Sequence, residues 1–115
     1  MATSWDDVVT VASGLPKVEE STSYGTPALK VAGKLIARLR TEAEGGLVVM
    51  CSLAEKAALL ASGDSAFYTT PHYEGHGSII VDLDRVDTAE LEEFVIEAWR
   101  AKAPKTVRKR YEENQ

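Results

Sequence analysis

The spacing of hydrophobic positions changes several times along the chain, and each change predicts an element. Trp5, Val8, Val9 and Ala12 recur at helical spacing. Ser4 with Asp7 three residues on has the form of a capping box, Asp replacing the usual Glu, and Gly14 and Pro16 stop the helix near Ser13. The polar stretch 17–26 has no clear period and predicts either an irregular connection or a short strand around residues 20–24. Residues 28–31 predict a strand and Ala32-Gly33 a tight turn. Residues 34–40 alternate, which assigns Leu35, Ala37 and Leu39 to one face and Lys34, Ile36, Arg38 and Arg40 to the other. Residues 47–51 form an unbroken apolar run, expected of a central strand covered on both faces.

Ser52 and Glu55 form the S-x-x-E capping box of a second helix. Its Leu53, Ala57 and Leu60, with Ala54, Ala58 and Ala61 beside them, predict a broad surface of small apolar residues lying close on a sheet. Residues 66–70 and 78–83 predict two more strands, joined by the hairpin loop 71–77. Asp87 caps a third helix, with Leu91, Phe94, Val95, Ala98 and Trp99 as its buried stripe. Pro104 can open a short extra C-terminal helix that turns Val107 and Tyr111 inward. Helices interleaved with hairpins predict an α+β single domain with helices packed on a largely antiparallel sheet. A parallel doubly wound sheet would need crossover helices that the pattern lacks.

With 115 residues, 44% hydrophobic and 27% charged, the chain has room for one domain and a core that needs no staples. The single cysteine, Cys51, excludes an intrachain disulfide framework and a multi-cysteine zinc site. No apolar run approaches the roughly 20 residues that cross a bilayer. The first seven residues lack the basic and apolar regions of a signal peptide. A cytoplasmic setting without membrane contact is the expectation.

The net charge of −5 is unevenly spread. Residues 1–99 hold 7 basic against 16 acidic residues, whereas Arg100, Lys102, Lys105, Arg108, Lys109 and Arg110 follow one another with no acid between them. An acidic body gives no long-range steering toward nucleic acid. The basic tail either complements a helix C-terminus or touches phosphate locally.

Candidate chemistry is sparse. His72, Glu74 and His76 alternate and could share a metal on one strand face, but Gly75 and Gly77 make this stretch a polar hairpin tip. Cys51 precedes a helix N-terminus, where a thiolate can be stabilised and a histidine could pair with it; in an apolar run a lone cysteine reads as packing. Glu44-Gly45-Gly46 lacks the Lys-Ser/Thr of a phosphate loop. Asp82 and Asp84 read as solvated strand-end residues. No catalytic residue, metal or cofactor is therefore expected, and the chain is read as no enzyme. Tyr24, Thr70, Pro71, His72 and Tyr73 are expected to form an aromatic-lined ligand cleft if their loops meet.

Several segments taken in order resemble one known family. They are Gly14-Leu15-Pro16 with Glu19-Glu20, Tyr24-Gly25-Thr26-Pro27, Val31-Ala32-Gly33-Lys34, Thr70-Pro71-His72-Tyr73, residues 78–83, and residues 98–105. Their order and spacing resemble the MmcQ/YjbR family across most of the chain. The resemblance implies an α-β(3)-α-β(2)-α fold like that of type III secretion chaperones. It also implies a DNA-binding role through a double wing, here the turn Ala32-Gly33-Lys34 and the loop 71–77. On that reading Lys34, Arg38 and Arg40, together with Lys102, Lys105, Arg108, Lys109 and Arg110, contact phosphate, while His72 and Tyr73 reach a groove. Binding would be weak and salt-dependent. The competing expectation is a protein- or small-ligand-binding module with no nucleic-acid role.

Overall fold

The computed structural model describes residues 3–23, 25–41 and 43–113. Helix α1 (Trp5–Ser13) leads into four strands: β1 (Val18–Ser23), β2 (Thr26–Val31), β3 (Lys34–Leu39) and β4 (Leu47–Met50). Helix α2 (Leu53–Ala61), β5 (Phe67–Tyr68), β6 (Ser78–Val81), α3 (Thr88–Lys102) and α4 (Lys105–Glu113) complete the order. The strands form one six-stranded sheet in the order β1-β2-β3-β4-β6-β5, antiparallel at every junction. The architecture is α+β. Among the described residues no helix is long and apolar enough to cross a membrane.

Local chemistry sets the helix starts. Ser4 and Asp7 make a complete reciprocal capping box on α1. The Ser52 and Asp87 side chains accept from the N3 amides of Glu55 and Glu90 on α2 and α3. The β2–β3 turn is a two-residue loop with Ala32 at φ 50° and Gly33 at φ 82°, the doubly positive geometry that matches the twist of a hairpin.

Register divides the sheet into two faces. Leu29, Ala37, Val49 and Ile79 pair directly across β2, β3, β4 and β6, and Leu39, Leu47, Val81 and Phe67 form a second such row. Both rows belong to the hydrophobic core that α1 and α3 cover. Trp99 of α3 is fully buried there, and its indole N–H donates to Pro16 O at 2.9 Å, tying α3 to the turn after α1. The alternate row, Ala28, Arg38, Val48, Ile80 and Tyr68, lies on the opposite face. No element of the sheet-covering layer built by α1 and α3 reaches it, and we call it the open face.

Three details differ from the pattern-based expectation. First, the polar stretch contains a full strand, β1, in register from Val18–Val31 to Ser23–Thr26. It is an edge strand with Glu19, Glu20, Ser21 and Thr22 exposed, so no apolar alternation marks it. Second, a bulge shifts the β2–β3 register between Leu29 and Lys30. It turns Ile36 into the core beside Ala37, while Leu35 joins Arg38 on the open-face cleft, the reverse of strict alternation. Third, α2 does not press its small apolar surface onto the sheet. Its buried side chain is Lys56, while Leu53 and Leu60 stand 59% and 40% exposed.

Candidate functional site

The open face holds a cleft of about 690 Å³. Leu35 and Arg38 of β3, Val48 and Met50 of β4, Ser78 of β6, and His72, Tyr73 and His76 of the loop before β6 line it. Thr41 and Glu44 close one end. The register explains the convergence. Met50 pairs with Ser78, and β3 starts at Lys34, so the 71–77 loop and the 32–33 turn lie at the same end of the sheet.

Arg38 is the polar centre. Its Nη2 donates to the Tyr73 hydroxyl and its Nη1 to Thr26 Oγ1 at 3.2 Å. This bridges β2, β3 and the second hairpin. Arg40, two residues on, lies over the same face with its side chain 10% exposed. Its guanidinium approaches the Tyr68 hydroxyl at 3.5 Å and Glu44 at 3.6 Å. On the same face Val48 and Ile80 are buried, paired in register with Arg38 and with each other. The Arg40 guanidinium is nearly buried, and among the described residues its Nε has no hydrogen-bond partner. The Thr41 hydroxyl, and after it the Arg40 charge, hold the Glu44 carboxyl below the usual carboxylate range.

The loop rings form one cluster. The His72 and Tyr73 rings meet edge-on at 4.8 Å between centroids, and those of His72 and His76 stack at 6.4 Å. The loop is pinned from behind by Lys56 of α2. That lysine is 5% exposed, and its Nζ donates to Tyr73 O and to His76 O, the latter at 3.0 Å. A buried ammonium stabilised by backbone carbonyls is a costly device to place under a surface loop. It fixes the carbonyls and thereby the direction in which the rings project.

The sequence-based assignments are redistributed. His72 and Tyr73 do line the cleft, with Arg38. Thr70 and Pro71 lie in the same loop but outside the cleft lining; Thr70 O accepts from the Tyr73 amide at 2.9 Å. Tyr24 lies outside the described residues. His76, singled out in the sequence with His72 and Glu74 as a candidate metal group, lines the cleft as well; Leu35, Met50 and Thr41 were not anticipated, since the β3 bulge and the strand register that bring them there leave no local sequence signal.

The basic residues expected to act as one strip are split. Lys34 and Arg38 belong to β3 and Arg40 follows it directly, with both arginines on the open face. Lys102 ends α3, and Lys105, Arg108, Lys109 and Arg110 belong to α4. Helix α4 packs Tyr111 against Trp99 at 4.9 Å between centroids, on the covered side of the sheet. Carboxylates lie among these tail charges: Glu55, Glu97 and Glu112 line one depression with Arg100 and Arg108. Arg38 and Arg40 thus stand on the open face, whereas α4 packs on the covered side.

Among the described residues no three His, Cys, Asp or Glu side chains converge as a metal-binding group. Cys51 is half-buried, and burial first, then the Glu55 charge, push its thiol up, with Lys56 opposing. It is held as the thiol at neutral pH, which disfavours nucleophilic use.

A family model for YjbR matches residues 13–101. The chain belongs to the YjbR family. Among its relatives are the uncharacterized proteins Rv2570 of Mycobacterium tuberculosis (strain H37Rv) and Mb2600 of Mycobacterium bovis. Each is 31% identical over 119 residues, covering 91% of this chain and 92% of the relative. In structure the YjbR chain resembles the crystal structure of Deinococcus radiodurans protein DR2400, family-model domain DUF419. The TM-score is 0.75 at 21% identity, over 96% of this chain and 88% of that one. That likeness concerns the fold.

Proposed function

We propose that this YjbR protein is a non-enzymatic binding module whose ligand seats in the open-face cleft. The ligand is a small aromatic anion, of the kind a nucleoside monophosphate represents. The observation that carries this reading is the juxtaposition of Arg38 with the His72, Tyr73 and His76 rings in one concavity. The guanidinium charge attracts an anionic group, and the rings give the ligand's flat part a stacking surface. Lys56 keeps the loop preorganised, so little ordering cost falls on binding. Isothermal titration with nucleoside monophosphates and with aromatic carboxylates tests it. Saturable heat that disappears in Tyr73→Ala and falls in Arg38→Gln is the expected result. Absence of saturable heat for every probe at millimolar concentration rejects the reading.

A second reading, DNA binding through the same face, is favoured by one observation. The two hairpin tips, Ala32-Gly33-Lys34 and 71–77, lie at one end of the sheet, as a double wing requires. Lys34, Arg38, His72 and Tyr73 then touch DNA, and the α4 basics do not. About two phosphate contacts from Lys34 and Arg38 give a log–log salt slope of roughly −1.5 to −2. Anisotropy of labelled duplex and single-stranded DNA across about 50 to 200 mM salt measures that slope. Loss of binding on neutralising α4, with the Tyr73→Ala variant unaffected, contradicts this arrangement.

A further inference from the structure

A second concavity lies on the covered side of the molecule, away from the open-face cleft. Between α2 and α3 runs a groove of about 310 Å³. Ala58, Leu59 and Phe94 form its floor. Its rim is acidic throughout: Glu55, Glu90, Glu93 and Glu97. The exposed Leu53 and Leu60 extend the apolar surface of α2 beyond it.

Burial first, then Asp64, Asp87 and Glu93, raise the Glu90 carboxyl above its ordinary value. Glu97 is offset by Arg100 at 3.1 Å, an exposed pair of little strength. An occupant that complements the four rim carboxylates is cationic, and one that covers the floor carries an apolar anchor. A nucleic acid fails on charge. An extended peptide gains no main-chain partners between two helices, since their backbone groups are already paired. A helix satisfies its own backbone and presents an apolar side chain flanked by Lys or Arg on one face. A second copy of this chain has a basic helix, α4, but its Val107 and Tyr111 are already spent on the core.

We propose that the α2–α3 groove docks a basic amphipathic helix of a partner protein. An apolar side chain seats on Ala58, Leu59 and Phe94, and cationic side chains reach Glu55, Glu90, Glu93 and Glu97. This site is independent of the open-face reading, and either can fail alone.

The test is fluorescence anisotropy on the full chain with a labelled synthetic helix carrying Leu at i, i+3, i+4 and i+7 and Lys elsewhere. Two control peptides replace every Lys by Glu or every Leu by Ala. The protein variants are Ala58→Trp, which fills the floor from an exposed position, and Glu93→Lys, which breaks the rim; circular dichroism melts check that each is folded. The Lys/Leu peptide is expected to bind saturably. Each variant and each control peptide should weaken binding by at least about tenfold, the size of a lost anchor contact. The Tyr73→Ala variant should bind as the wild type does. Three results overturn the proposal: no saturable binding, equal binding of the Lys/Ala peptide, or indifference to both groove variants. Sedimentation showing a dimer that Ala58→Trp dissociates also overturns it, by giving the groove to a second copy.

Discussion

Replacing Lys56 by Met probes the device that holds the open-face loop. Methionine keeps an unbranched apolar stem of similar reach, so the packing of α2 is largely preserved. What disappears is the ammonium and its bonds to Tyr73 O and His76 O. A hydrogen bond to a charged group contributes about 1.5–3 kcal/mol net, so the two together stabilise by roughly 3–6 kcal/mol. Removing a nearly buried charge returns part of its desolvation cost, itself several kcal/mol. The balance is a destabilisation of about 1–3 kcal/mol, or a fall in Tm of roughly 5–15 °C for a domain of this size. The local effect should exceed the global one. The Tyr73 and His76 amides, bonded to Thr70 O and Tyr73 O, belong to turns that Lys56 clamps. Their hydrogen exchange should accelerate in Lys56→Met more than that of core amides such as those of β4. Urea melts and exchange mass spectrometry measure both. Unchanged stability with unchanged loop exchange would refute the clamp.

Gly46→Ala should destabilise by about 2 kcal/mol or more, because φ is +85° and a Cβ would stand 2.8 Å from Ile80 Cγ2 and 2.9 Å from the Tyr68 hydroxyl. Gly25→Ala, also at positive φ but in open space, should cost only about 1 kcal/mol; equal losses in urea melts contradict the crowding argument. Glu90 has a folded-state pKa above its unfolded value, so it costs stability at neutral pH, and that cost fades as pH falls through the raised value. Glu90→Gln should therefore melt higher than wild type at neutral pH and lose the advantage near or below about pH 4; a constant advantage across pH is the contrary result. Cys51, with its thiol pKa raised, should react with a disulfide reagent more slowly at neutral pH than a free thiol does, and reaction at the free-thiol rate contradicts the burial assigned to it.

How much of this was legible in the sequence varies with the kind of signal. Caps at Ser4, Ser52 and Asp87 are local chemistry and are where the sequence puts them. The apolar runs of β4 and β6 and the stripe of α3 mark the core for the same reason: burial on a regular lattice leaves a period. β1 left none, since both its faces meet water and its stability comes from pairing with β2. The bulge in β3 overrode a clean alternation that would have buried Leu35 instead of Ile36. Lys56 reads as a solvated helix residue and is instead buried, because its partners are carbonyls from a loop far along the chain. The site was half legible. His72 and Tyr73 announce themselves as an unusual loop, but whether Arg38 faces them or faces the α4 basics depends on strand register, which one sequence does not encode locally.

The most direct test of the binding account is chemical-shift mapping of the isotope-labelled protein during titration with a nucleoside monophosphate and with a short single-stranded oligonucleotide. The account predicts perturbations concentrated at Arg38, Met50, Tyr73, His76 and Ser78, with residues of α4 unmoved. Perturbations confined to residues 100–113, or none at saturating probe, would contradict it.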